Sequence, residues 1–239
     1  MENIMSLPKL NEHLKFTLEI PSTGQRIRYR PYLVKEEKVL LQAFESNDMK
    51  AAVSAMADTL NACIDEKENI RVETLSTFDV EYMFLQLRAK SVGETSTIVI
   101  SCKECETHNP YEIDLSSVEV NVDKKKDNIV DITDTIKVEL KYPSYDLLYE
   151  TNFDDEADTA IDTLVSAISV IHHGDNRYEC SKATVEEVKE FVLSMTSAQL
   201  KEVSEYLSDI PSVSHLAKFK CTKCGTENEL LLKGLSDFF

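Results

Sequence analysis

The chain has 239 residues, 42% of them hydrophobic, enough for one large domain or two small ones with packed cores. Its formal charge is −17, divided −7 over residues 1–120 and −10 over 121–239, so neither half is the cluster of Lys and Arg on which phosphate binding rests. No run approaches the ~18 apolar residues a membrane helix needs, so neither nucleic acid nor membrane is an expected partner.

In chain order, "MENIMSLPKL" lacks the charged-then-apolar pattern of a signal peptide. The expected compartment is the cytoplasm, where thiols stay reduced. Six Cys there point to metal, redox chemistry or burial rather than disulfides. Phe16–Ile20 and Arg26–Arg30 alternate polar and apolar around the turn-like "PSTGQ", which predicts a β-hairpin stopped by Pro31. From Val34 the spacing of Val39, Leu40, Ala43 and Phe44 predicts a helix with an acidic first turn. "SND" (Ser46–Asp48) breaks it and caps a second helix carrying Val53, Met56, Ala57, Leu60 and Ile64. After the polar "DEKEN", Thr77 is placed to cap a third, with Val80, Met83, Phe84 and Leu87 on one face, ending near "KSVG". Thr95–Ile100 returns to period two, and Tyr111–Leu115 reads as a strand.

Residues 121–133, with the flanked basic run "DKKKD" (Asp123–Asp127), read as a solvated linker. Ile136–Tyr142 alternates and stops at Pro143. Asp158–His172 is expected to be a helix with Ile161, Leu164, Val165, Ile168 and Ile171 inward, its His172–His173 pair forming the helix end. "HGDNRYEC" is a polar loop. "SKATVEEVKEFVLSM" opens with a capping signal and carries a helical stripe of Val185, Val188, Phe191 and Val192, and "TSAQLKEVSEYL" starts another helix. Strand-like residues then run through Phe219, and Glu229–Leu232 closes the pattern.

Two stretches repeat. In "SCKECETHNPYEIDL" and "KCTKCGTENELLLKGL", Cys102, Cys105, Thr107 and Asn109 fall on Cys221, Cys224, Thr226 and Asn228 at one offset of 119 residues. Strand, helices, strand, Cys hairpin, strand occurs twice, and "VSA" recurs at Val53 and Val165. The expected fold is therefore α+β: two similar lobes of helices and small antiparallel sheets from a tandem duplication, each with a zinc-knuckle hairpin, the alternative being two unrelated segments that each acquired such a knuckle. The lobes are 1–120 and 134–239, joined by the 121–133 linker.

A Cys-x-x-Cys turn supplies two sulfurs, and tetrahedral zinc takes four. Cys102, Cys105, Cys221 and Cys224 are the expected ligands of one structural zinc tying the lobes together. The gap between the pairs exceeds the usual ~15–20 residues. Two other arrangements therefore stay open: each hairpin meeting one of another chain, or His108 completing a set with Cys102 and Cys105. A redox pair would sit at a helix N-terminus, whereas both pairs here lie between strand-like segments. Cys63 falls on an apolar helix face and reads as core, and Cys180 stands apart. The acidic "SYDLLYETNFDDEAD" lacks the ligand spacing of a calcium loop. With only five Gly there is no phosphate loop, and no nucleophile–base set stands out. No catalytic centre, no small-molecule substrate and no enzyme activity are expected.

"LPKL" (Leu7–Leu10), "IPSTG" (Ile20–Gly24), "RPYLVKEEKVLL" (Arg30–Leu41) and "FDVEYMFLQLRAKSVGE" (Phe78–Glu94) come in order. They resemble the baseplate hub proteins of T-even-type contractile-tail bacteriophages, a family of hub subunits and hub assembly factors. The resemblance covers residues 7–120 and carries over no catalytic or ligand residue. It implies a late structural protein of the virion's tail baseplate, assembled in the host cytoplasm. Other baseplate hub or wedge proteins would be its partners. Two further readings stand beside it: an assembly chaperone absent from the finished particle, and a zinc-ribbon regulatory protein.

Overall fold

The computed structural model describes residues 14–46, 48–120, 122, 128–151 and 155–238. The "LPKL" stretch and "DKKKD" lie outside them, as does Asn47 of "SND". Strands β1 (Phe16–Glu19) and β2 (Arg26–Tyr29) form the expected antiparallel hairpin. Their alternation buries Leu18, Ile27 and Tyr29. Helix α1 (Val34–Glu45) starts where Glu36 accepts a hydrogen bond from the Leu33 N–H at 2.8 Å. Of its expected stripe only Leu40 is fully buried, while Val39 and Phe44 stay half exposed. Asp48 caps α2 (Met49–Cys63) by accepting from the N–H groups of Lys50 and Ala51. The next helix, α3 (Thr77–Ser91), begins one residue earlier than read from sequence. Ser76, with extended backbone, is its N-cap, and its hydroxyl donates to Asp79 in the first turn. Phe78, Val80, Met83, Phe84, Leu85, Leu87 and Ala89 are all buried, so α3 is covered on nearly every side.

Strands β3 (Thr95–Ser101) and β4 (His108–Asp114) make the first Cys hairpin. Strand β5 (Glu119–Val120) follows. Part of the expected linker is itself structured: β6 (Ile129–Asp131) pairs with β7 (Ile136–Leu140). A short turn of helix, α4 (Leu147–Glu150), precedes α5 (Glu156–Ala167). The helix expected over 158–172 ends at Ala167. Ile168–His173 is instead strand β8, which hairpins through Gly174 (φ +58°) into β9 (Asn176–Glu179). Ile168, Val170 and Ile171 are β-branched and stiff at χ1, which suits a pleated strand with partners on both sides, here β7 and β9. His172 and His173 thus stand on a strand, and His172 lies 3.6 Å from Glu139 across it. Capping boxes at Thr184 and Thr196 start α6 (Val185–Leu193) and α7 (Ser197–Ser208), as their sequences require. Strands β10 (Val213–Lys220) and β11 (Glu227–Lys233) form the second Cys hairpin, with β5 pairing on the other side of β10.

The fold is therefore mixed helix and small antiparallel sheet. Among the described residues the interior falls into three clusters. The first gathers β1, β2, α2 and α3 around Leu60, Val72 and Met83, with Tyr145 reaching in from beyond the linker. The Tyr145 hydroxyl donates to the Val53 carbonyl at 3.1 Å. The second cluster is drawn from both Cys hairpins: Ile98, Ile100, Ile113 and Leu115 pack with Val213, Ala217, Leu232 and Phe238 against Leu85 and Ala89 of α3. The third joins β7, β8, α5, α6 and α7. At the 119-residue offset α3 falls on α7 and hairpin falls on hairpin, but α2 falls on the β8–β9 pair.

Candidate metal centre

Each Cys hairpin closes in the same way. The Cys102 N–H donates to the Thr107 carbonyl at 2.9 Å, and the Glu106 N–H to the Cys102 carbonyl at 2.9 Å. In the other hairpin Cys221 N–H donates to Thr226 at 2.8 Å and Gly225 N–H to Cys221 at 3.0 Å. Glu106 and Gly225 are the positive-φ residues of the two turns, at +55° and +74°. Such a tight knuckle turns its backbone N–H groups onto the first sulfur. The Lys223 N–H lies 3.4 Å from the Cys221 Sγ. N–H groups of Cys224 and Lys223 pull the Cys221 thiol down to about 6, and those of Glu104 and Cys105 lower Cys102. Thr107 and Thr226 hydroxyls lie 3.3 and 3.2 Å from the Cys105 and Cys224 sulfurs.

The core beneath brings the hairpins face to face. Tyr111 of the first meets His215 of the second, hydroxyl to Nε2, at 3.1 Å. The four sulfurs then converge, all within 4.8 Å of one another. Cys102–Cys224 and Cys105–Cys221 are 3.6 Å apart and Cys105–Cys224 3.4 Å. Four ligands at the zinc–thiolate distance of ~2.3 Å have a tetrahedral edge of ~3.8 Å, so the cluster matches a tetrahedral thiolate site with little adjustment. Cys102 and Cys221 are buried and Cys224 is exposed, giving a centre closed on the protein side and near the surface. Among the described residues this is the one set of His, Cys, Asp or Glu atoms grouped closely enough for a metal. His108 is not part of it; its Nδ1 pairs with the Ser101 hydroxyl at 3.0 Å. Cys63 is core, its thiol pushed up to about 11 by burial. Cys180 is half-buried and apart.

Sequence reasoning placed Asn109 and Asn228 in the repeat but gave them no role. Both are buried, and both reach across to the opposite hairpin. Their matched spacing was the available signal; the crossing was not.

Two Cys-x-x-Cys hairpins do not by themselves name a lineage, which has to come from the whole chain. The family model described as T4 bacteriophage base plate protein matches residues 13–239. The chain belongs to this base plate family. A curated relative, the baseplate hub assembly protein gp26 of Enterobacteria phage T4, is 24% identical over 225 residues, spanning 94% of this chain and 97% of the relative. No solved structure matches the chain. The match takes in the second half as well as most of the stretch 7–120 that carries the resemblance, so both Cys hairpins lie within the matched region. Among the described residues no helix is long and apolar enough to cross a membrane.

Proposed function

We propose that this base plate family member is a structural component of the tail baseplate, in its hub region, that acts through protein–protein contacts and is stabilised by one zinc ion. Membership over residues 13–239 carries the baseplate part of this reading. The likeness to a hub assembly protein supports the hub location. Zinc is supported by the four converging sulfurs: an all-thiolate tetrahedral set suits zinc or iron, and zinc is the common structural choice. Cys102, Cys105, Cys221 and Cys224 would be its ligands. Four thiolates leave no open coordination position, which fits a non-enzymatic role. The two halves, 1–120 and 134–239, then descend from a duplicated unit and each contributes half of the centre. Its working place would be the virion baseplate, reached by assembly in the host cytoplasm with other hub or wedge proteins.

Native mass spectrometry with and without a strong chelator tests the metal. One zinc on a monomer is expected; zinc found only on dimers would move the site to a subunit contact, and reduced protein without zinc would remove it. The relative's name favours a second reading, an assembly factor that leaves the particle. Quantifying the protein in purified particles and in infected-cell lysate separates the two. Presence in particles at fixed stoichiometry is the result for a structural component.

A further inference from the structure

The four-cysteine centre carries a bracing that four sulfurs alone do not require. Asn109 Oδ1 accepts from the backbone N–H and the hydroxyl of Thr222, both at 2.9 Å. Asn228 Oδ1 accepts from the Lys103 N–H at 3.0 Å. At home, the two amide nitrogens donate to the Thr107 and Thr226 carbonyls at 2.7 and 2.9 Å. They also point across: Asn109 Nδ2 lies 3.8 Å from the Cys221 sulfur, and Asn228 Nδ2 lies 3.6 Å from that of Cys102. Lys103 and Thr222, Cys102 and Cys221, Thr107 and Thr226 are each 119 residues apart. The two hairpins are thus related by a local two-fold, and each asparagine serves the other's knuckle.

The amide orientations are settled by their partners. A flip would set an NH₂ against a backbone N–H and a carbonyl oxygen against a carbonyl, at both sites at once. Both side chains are nearly inaccessible, at 2% and 4% exposure, so unmade bonds here would be costly. Each of these hydrogen bonds joins two protein groups.

Resting on the reading of the sulfurs as a metal site, we infer that Asn109 and Asn228 are positioning residues that lock the two knuckles into register before metal arrives. Each half-site is shaped by the opposite hairpin's asparagine, so the centre assembles as a unit within one chain. Metal binding is then a local event at a prepared site rather than the step that brings the halves together. Donors outside the ligand shell commonly set ligand geometry in this way, and removing one costs ~10–100-fold in metal affinity.

The test uses the full chain, its zinc removed by chelation, titrated with cobalt(II) and followed by thiolate-to-cobalt absorption. One cobalt per chain in a tetrahedral thiolate spectrum is expected for the wild type. Asn109→Asp and Asn228→Asp keep the size and the acceptor but lose both donors. Each is expected to weaken cobalt binding ~10–100-fold, and to a similar extent because the sites are two-fold related. Folded variants that bind as tightly as wild type overturn the inference. Should a variant not fold, amide exchange on chelated wild-type protein decides: slow exchange at Lys103 and Thr222 supports a clamp formed before metal, and fast exchange overturns it. Wild-type protein that takes up no cobalt overturns the metal reading itself, an outcome distinct from cobalt uptake with unaltered variants.

Discussion

The two Cys hairpins share their inner bonds and differ on everything else. Their registers coincide at the 119-residue offset: Thr97 pairs with Glu112 in one, Leu216 with Leu231 in the other. Closing turns, N–H donors to sulfur and crossing asparagines all match. What differs is the left-handed turn residue, Glu106 against Gly225, the exit, Leu115 against Gly234, and the outer face. The two hairpins match where the four sulfurs converge and differ where each faces its own neighbours.

The largest effect should come from breaking what the hairpins share. Cys221→Ser and Cys102→Ser are expected to abolish metal uptake and to cost on the order of 5 kcal/mol, by a similar amount each, since their environments mirror one another. Metal analysis and thermal melting report both; a serine variant that keeps full metal and melting temperature would show the sulfurs are not ligands. Next comes a position that is not shared. Leu115 is fully buried in the cluster both hairpins build, while its counterpart Gly234 has no side chain to bury. Leu115→Ala should cost about 3 kcal/mol in denaturant unfolding. A cost below ~1 kcal/mol would mean the site collapses to fill the gap.

The helices leading into the hairpins differ as well. Glu81 on α3 falls at the offset on Leu200 of α7, which packs in the third cluster. Burial pushes the Glu81 carboxyl up to about 7, against a N–H hydrogen bond from Leu235 that lowers it. A folded pKa above the unfolded 4.5 means the neutral form is favoured in the native state. Its contribution is complete below pH 4.5 and is lost as pH rises through about 7. Stability should therefore decline between about pH 4.5 and 7, by on the order of 3 kcal/mol from this group. Glu81→Gln should flatten that part of the profile, and an unchanged slope would assign it elsewhere.

A smaller change would make the first turn like the second. Glu106→Gly relieves a side chain at φ +55° and should stabilise by about 1 kcal/mol. No gain in the midpoint of denaturation would show that the turn is unstrained.

Strong local signals were readable from the chain. The capping signal ahead of α6, Asp48 at the start of α2 and the alternation of β1 and β2 each act over a few residues, and the structure has them where the sequence puts them. The repeated Cys-x-x-Cys was legible for the same reason. Ile168–His173 was not, because a short apolar run continues a helical stripe and alternates acceptably too; tertiary pairing with β7 and β9 decided it. The crossing of Asn109 and Asn228 was equally hidden, since a side chain that serves a residue more than 110 positions away leaves no local pattern. The same holds for Tyr145, whose hydroxyl is buried against α2 across the linker.

The smallest expected effect concerns the outer faces. Leu216 and Leu231 pair in the open, at 47% and 57% exposure, where the first hairpin has Thr97 and Glu112. Cross-strand apolar pairs stabilise a sheet modestly, by roughly 0.2–1 kcal/mol relative to alanines, and half-exposed leucines bury little more than the strand itself provides. Replacing the pair with the residues of the first hairpin, Leu216→Thr with Leu231→Glu, retains β propensity at one position. It also places an acid between Glu229, already paired with Lys218 at 2.7 Å, and Lys233. Unfolding in denaturant should therefore move by less than about 0.5 kcal/mol. A loss above about 1 kcal/mol would mean that the pair packs on the cluster below through the sheet edge, and the two hairpins would then differ in how they are held and not only in what they show to solvent.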